Sequence, residues 1–576
     1  MHAYLLSGGF CLLVISGGSA SESVLKQSDV VFMYQADQAT YEQYGATVLA
    51  WGGTPTASSR EMADKAGVKF FASVGMVTEF SRYYERFPQS YEAGLCRDLD
   101  GQPVKVPWLT DHQHKGVPYW WCCTHQPQFR QYLRERVVES VQAGADGLHI
   151  DDHLGTAGGL WLGICFCDQC VAAFQHYLQL QPAETRVRLG VNAPADFDYR
   201  DVLRQWRAAA ATDQQRPVTQ HPLWSEWTVF QGRAAAQFML ELRELAATTA
   251  GRPIPVGANA GLLWPRHLAD YQAIDLFSAE TDHHAGDTRL TDLPLVAYRM
   301  ADAVERPYAA TAGGGDWAYI KEHELPGIVR SWVALAYAAG HCFMVPHRQW
   351  CYTAEKGTHW YDGPADRFAP LYRFVRAHAQ WLDGYHSHAD VAVVLPHQSF
   401  AQDPQRWFDM LQQLAAANVS YRIVLTGDEL VDRPLTASAL TGGQLCLVPD
   451  RASLLPADAE LLEAYAAEHT TYASVPEVLS AVAPAVRVQA DGMVRALPRI
   501  AAGSAVVHLL NYQYDVKRDD VTPIANVAVQ VDLQTLGVAG AATCRVLAPD
   551  APPQTLPVDA GRVTVPQLGL WSLLVF

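Results

Sequence analysis

From Asp29 to about Gly384, short apolar runs ending in polar or glycine-rich turns alternate with longer stretches of helical periodicity, the signature of repeated βα units. Eight strands are predicted: Val30–Tyr34, Ala46–Trp51, Lys69–Val74, Gly147–Asp151, Ile254–Ala258, Leu276–Glu280, Tyr308–Thr311 and Cys342–Val345. Between the third and fourth, Phe129, Leu133, Val137 and Val141 recur every four residues, so one helix face is apolar, and Pro127 suits its first turn. Further helices are read over Cys170–Leu178, Thr228–Thr249 and Val329–Ala339. Eight such units close into a (β/α)8 TIM barrel, assigned to residues 28–385, with its chemistry at the C-terminal strand ends.

Beyond Trp381-Leu-Asp-Gly384 the pattern changes. A buried strand at Asp390–Leu395, a helix at Trp407–Ala417, strands at Tyr421–Leu425 and Gln444–Val448 and a helix at Ala457–Ala467 predict a Rossmann/flavodoxin-like α/β domain over 388–482. From 485 to 576 short alternating strands, such as Ala505–Leu510 and Ala528–Leu533, are separated by Pro, Gly and Asp turns, which predicts a β-sandwich.

Composition narrows the partners. The chain has 576 residues and a net charge of −17, which repels phosphate backbones, so no nucleic acid is expected. No apolar run reaches the roughly 18 residues needed to span a bilayer. Sixteen Trp and 25 Tyr supply the flat apolar faces with polar edges on which sugar rings stack, so a carbohydrate substrate is expected. At the N-terminus, Phe10–Ile15 followed by Gly-Gly-Ser-Ala reads as a signal segment over 1–22, implying a secreted or periplasmic enzyme; no Lys or Arg precedes the stretch, which keeps a cytoplasmic location open.

Four of the eleven cysteines form a pattern: Cys123 precedes the amphipathic helix, and Cys165, Cys167 and Cys170 follow the fourth strand as CxCxxC. Three thiolates within six residues plus a fourth from elsewhere suit a closed, structural zinc site. Cys122 competes with Cys123 for the fourth place, and Cys96 is a weaker candidate.

The segments Cys123-Thr-His-Gln-Pro-Gln-Phe-Arg130 and Cys165-Phe-Cys-Asp-Gln-Cys-Val-Ala-Ala-Phe174 resemble the zinc segments of glycoside hydrolase family 42, the β-galactosidases, as does His347-Arg-Gln-Trp350 with Gly357 and His359. The order of modules is similar too, and the resemblance implies a homo-oligomer, a trimer formed through the α/β domain. The acids of that family are absent. Asp152 and His153 stand where its Asn-Glu pair ends the fourth strand, and Tyr308-Ala-Ala-Thr-Ala-Gly-Gly-Gly-Asp316-Trp317 carries no Glu at the seventh.

Another pair of acids is available. Period-two alternation turns His149 and Asp151 toward the barrel interior and sets Asp151 at the mouth; the same logic sets Glu280 at the end of the sixth strand. A fourth-strand Asp with a sixth-strand acid resembles the α-galactosidase and α-glucosidase barrels, and Asp-Gly-x-His-x-Asp resembles the nucleophile strand of the dextranase-type family 66 and of some family 10-like barrels. Glycoside cleavage needs one ionised and one protonated carboxyl, which assigns Asp151 as nucleophile and Glu280 as acid/base in a retaining hydrolase, with Asp152 as sugar ligand or substitute nucleophile. His149, His153, Asn259, Asp282, Asp316, Trp317, His347, Arg348, Trp350 and Trp51 are the expected substrate-binding groups. Two alternatives stand beside this reading: a catalytically silent sugar-binding barrel, and a metal-dependent hydrolase built on His149, His153, His283 and His284.

Overall fold

The computed structural model describes residues 24–209, 216–441 and 443–576; the signal segment expected over 1–22 lies outside them. The barrel strands are β1 (Val31–Phe32), β2 (Val48–Leu49), β3 (Lys69–Gly75), β4 (Gly147–Asp151), β5 (Val256–Ala258), β6 (Leu276–Thr281), β7 (Tyr308–Ala312) and β8 (Cys342–Phe343). They pair in parallel in that order, and Phe32 bridges Val345 to close the ring. All eight strands read from the hydrophobic pattern are present. Several are shorter than their apolar runs because the ladder thins toward the mouth, where single bonds such as Trp51 N–H to Met33 C=O at 2.9 Å continue the pairing.

Helix α1 (Pro127–Gln142) begins with Pro127, whose missing N–H costs nothing in a first turn, and buries Phe129, Leu133, Val137 and Val141 on the barrel. Helices α2 (Asp168–Leu180), α3 (Trp224–Ala250), α4 (Leu293–Ala303), α5 (Gly314–His323) and α6 (Pro326–Ala339) complete the elements used below. At β4, Gly147 is required by packing: a Cβ there would come within 2.6 Å of the Phe71 ring.

After the barrel, Tyr421–Thr426, Val391–Pro396, Leu445–Leu447 and Thr471–Tyr472 form a parallel sheet in that spatial order, with the first strand in sequence second in space. Two antiparallel sheets follow, one of six strands and one of three, and Val507, Leu509, Val529, Val546, Val565 and Leu574 from both share one core, a β-sandwich. The sandwich is tied to the barrel by a buried ion pair in which Arg495 donates through Nε and Nη2 to Asp292 at 2.8–3.1 Å. No helix among the described residues is long and apolar enough to cross a membrane.

Candidate active site

The C-terminal strand ends open onto a cavity of about 670 Å³ whose lining includes Asp151, Asp152 and Glu280. Asp151, the last residue of β4, follows His149 by two positions, so both point inward. His149 is fully buried below the cavity: its ring stacks on Trp51 with centroids 4.3 Å apart, and Nδ1 lies 2.8 Å from Ser278 Oγ on β6. Trp51, fixed by its Nε1 donating to Ser278 C=O at 3.1 Å, lines the cavity floor above it.

Asp151 is the better solvated of the acids by protein groups. Its carboxylate accepts from Asn259 Nδ2 at 3.2 Å, Thr78 Oγ1 at 3.2 Å and the Asp152 N–H at 3.0 Å. Burial still raises its pKa above the usual carboxylate range, and these donors offset part of that rise. Glu280 has fewer donors. Burial first, then the Asp151 charge, push its carboxyl up to about 8. Asn259 ties the two strand ends together, since its Oδ1 also accepts the Glu280 N–H at 3.3 Å.

Asp152 takes a left-handed conformation at φ 50°, which costs a non-glycine residue on the order of 1 kcal/mol and concentrates at functional sites. The turn continues with Gly155 N–H bonding to Asp152 C=O at 2.7 Å; Gly155 is itself left-handed, and a Cβ there would meet Thr124 at 2.4 Å. Asp152 Oδ2 has no protein partner, and burial together with Asp151 and Glu280 drives its pKa far up. Three acids therefore share one space under unequal electrostatic conditions.

Of the other residues singled out in the sequence, His153, Asn259 and Trp350 also line the cavity. His153 Nδ1 lies 2.8 Å from the buried Asp270 carboxylate. Asp316 sits beside the cavity rather than in its lining, accepting from the His283 and Ala285 N–H groups at 2.8 Å each, and with Asp282 it contributes to the raised pKa of Glu280. Trp317 is core, stacked on Tyr361 and donating from Nε1 to Thr311 Oγ1 at 3.1 Å. His347 packs near Phe32, and Arg348 lies over Trp360, 4.5 Å from the ring centroid, and pairs with Asp362. His149, His153, His283 and His284 form no group of metal-binding size among the described residues, and His283 is instead packed 4.5 Å from Trp332.

The cavity also uses residues that the strand pattern did not single out: Tyr34, Thr78, Trp108, Trp121, Trp161, Trp264, Arg266, His267 and Tyr352. Thr78 lies just beyond β3, at the C-terminal strand ends where a barrel places its chemistry. The tryptophans stand in long βα loops, where sequence carries no period that says which way a ring faces.

Beside the cavity, Cys123, Cys165, Cys167 and Cys170 bring their sulfurs within 4.8 Å of one another, all buried, a cluster able to hold a metal ion. Cys123 Sγ lies 3.7 Å from Cys167 Sγ and 3.5 Å from Cys170 Sγ. Backbone N–H groups of Arg97 and His125 donate to Cys165 and Cys123 Sγ, which favours thiolates. Cys122 turns the other way, its side chain in the barrel core.

No protein-family model matches the chain. The chain is 25% identical over 453 residues to an α-agarase from Alteromonas agarilytica and 24% identical over 455 residues to an α-agarase from Thalassotalea agarivorans. These matches cover 71% and 72% of this chain but only 30% of each relative, so the matched stretch is less than a third of those proteins' length. Among solved structures, a β-galactosidase from Bacillus circulans sp. alkalophilus superposes with a TM-score of 0.64 at 12% identity, covering 95% of this chain and 99% of that one. A β-galactosidase from Rahnella sp. R3 gives 0.56 at 13%, covering 95% and 98%. At such identities the likeness is one of fold.

Proposed function

We propose that the chain is a glycoside hydrolase acting on a neutral polysaccharide of the galactan class, agarose being the substrate suggested by the relatives' name. The observation that carries the reading is the meeting of Asp151 and Glu280 on one aromatic-lined cavity, joined through the Asn259 amide.

The unequal surroundings divide the work. Asp151, with three hydrogen-bond donors, ionises before Glu280, whose carboxyl holds its proton up to about pH 8. The Asp151 carboxylate attacks the anomeric carbon as Glu280 gives its proton to the departing glycosidic oxygen, leaving a glycosyl ester on Asp151 and a carboxylate on Glu280. That carboxylate then takes a proton from water as the water's oxygen attacks the same carbon, which releases Asp151 and restores Glu280. Asp152, neutral beside two acids, donates to a sugar hydroxyl. Two displacements retain the anomeric configuration, the course expected when the carboxyls stand about 5–5.5 Å apart.

The four-cysteine cluster supports a structural zinc ion. Tetrahedral Zn–S bonds of about 2.3 Å imply sulfurs about 3.8 Å apart, close to the 3.5 and 3.7 Å between Cys123 and its neighbours. Four thiolates leave no place for a reacting water, so the ion would hold the loops on which Trp121 and Trp161 stand. A polymer substrate that cannot enter a cell accords with export of the enzyme.

The test is reducing-end release from agarose by the wild-type chain and by Asp151→Asn and Glu280→Gln, with the first-formed anomer followed by NMR. The reading requires turnover by the wild type, a loss of at least about 1,000-fold in each variant, and the retained anomer. Full activity in either variant removes that residue from the chemistry, and the inverted anomer replaces the covalent step by direct attack of water.

A further inference from the structure

Two tryptophans at the cavity rim are held out in water. Trp161 and Trp264 each keep 54% of their surface exposed while lining the cavity. Both stand on anchored loops. Trp161 lies in the tight turn Gly155–Leu162, whose neighbours Ala157, Leu160 and Ile164 are buried in the same core as the four cysteines. Beside Trp264 the Arg266 guanidinium, which also lines the cavity, sits 5.9 Å from the ring centroid. The next carbonyl, Pro265, accepts from His397 Nε2 at 2.9 Å, and His397 Nδ1 faces Asp428 at 2.6 Å, so the α/β domain pins this loop from outside the barrel. Exposure of these rings is built into the fold, and a flat apolar face kept in water at a site rim calls for a ligand that covers it.

Barrel topology says where that ligand runs. The loops after β4 and β5, which carry Trp161 and Trp264, lie half-way round the eight-stranded ring from the loop after β8. There the hairpin of Arg348–Thr353 and Gly357–Asp362 presents Trp350 and Tyr352, rings within 15° of parallel and centroids 5.8 Å apart, to the same cavity. Asp151 and Glu280 line the same cavity as both aromatic flanks. A protein of net charge −17 with the Asp151 carboxylate in this cavity disfavours an anionic chain, which argues for a neutral one.

We infer that Trp161 and Trp264 form an outer platform binding the sugar units of a neutral polysaccharide beyond the linkage being cut, on the flank opposite Trp350 and Tyr352. The inference rests on the glycosidase reading and adds to it a chain-length requirement set by two named residues. The test compares the wild type with Trp161→Ala, Trp264→Ala and the double variant. Each is measured for kcat/KM on agarose di- and octasaccharides, and, in the Asp151→Asn background, for retardation in gels containing agarose, galactan or dextran. The platform predicts that the double variant loses roughly ten- to hundredfold more on the octasaccharide than on the disaccharide, with retardation weakened in parallel. Equal losses on both lengths, or retardation unchanged, overturn the platform while leaving the glycosidase reading in place. Absence of turnover by the wild type together with absence of retardation of Asp151→Asn overturns the glycosidase reading, and the platform with it.

Discussion

Asn259 donates its amide N–H to Asp151 Oδ1 at 3.2 Å, and the other end of the same amide accepts the backbone N–H of Glu280 at 3.3 Å. One side chain just past β5 thus ties together two acids on β4 and β6. Replacing Asn259 by Ala removes a donor from Asp151 and the tie to Glu280, while the strands stay packed. The expected outcome is a fall in kcat of roughly 10- to 1,000-fold with a smaller change in KM, read from steady-state kinetics on a soluble oligosaccharide.

The pH profile follows from the two raised carboxyls. The proposed mechanism requires ionised Asp151 and protonated Glu280, so it predicts a rate that rises as Asp151 deprotonates, above the usual carboxylate range, and falls as Glu280 ionises near pH 8. The pair titrates as a unit, and the bell reports its two apparent values. In Glu280→Gln, assayed on an aryl glycoside whose leaving group needs no proton, the alkaline limb should vanish.

Glu280 also makes stability depend on pH. Its folded pKa of about 8 exceeds the value of about 4.3 for an unperturbed glutamate, so between these limits the folded state holds a proton that the unfolded chain has released. Stability contributed by this group is therefore present in full below about pH 4 and is lost as pH rises through 8. Melting temperatures of wild type and Glu280→Gln should converge at acid pH and separate in favour of the variant at pH 8 to 9.

At the cysteine cluster, Cys170→Ser removes one of four sulfurs from a buried group. Bound metal per chain, measured by mass spectrometry, should fall from about one to near zero, and the melting temperature should drop by several degrees as the loops of Trp121 and Trp161 lose their anchor. Cys122→Ser, altering a thiol that faces the barrel core, should leave the metal content intact.

The Asp292–Arg495 pair has side chains 7% and 9% exposed and joins α4 to the sandwich. Arg495→Ala strands a buried carboxylate and should cost about 3–5 kcal/mol in denaturant unfolding. Asp292→Leu combined with Arg495→Met should recover most of that loss, because the charge is removed along with its partner.

How much of this was legible beforehand depends on the range of the interaction. Strand and helix patterns are local: the four-residue recurrence from Phe129 to Val141 marks a buried face wherever that helix lands, and the alternation through His149 and Asp151 marks an inward row. CxCxxC is local as well, so three of the four clustered cysteines were fixed by spacing alone. The choice between Cys122 and Cys123 was not, because adjacent residues point in opposite directions and only the packed loop says which faces the cluster.

The sequence by itself determined the eight-stranded barrel, the α/β and β-rich regions behind it, and the strand ends where acids would stand, since each follows from periodicities of two to four residues. Tertiary structure alone decided that Asp151, Asn259 and Glu280, separated by 108 and 21 positions, meet at one amide, that His149 lies beneath the cavity, and that Trp317 is core while Trp161 and Trp264 face water. Barrel closure sets those distances, and a chain read residue by residue carries no trace of which loops its ends will bring together.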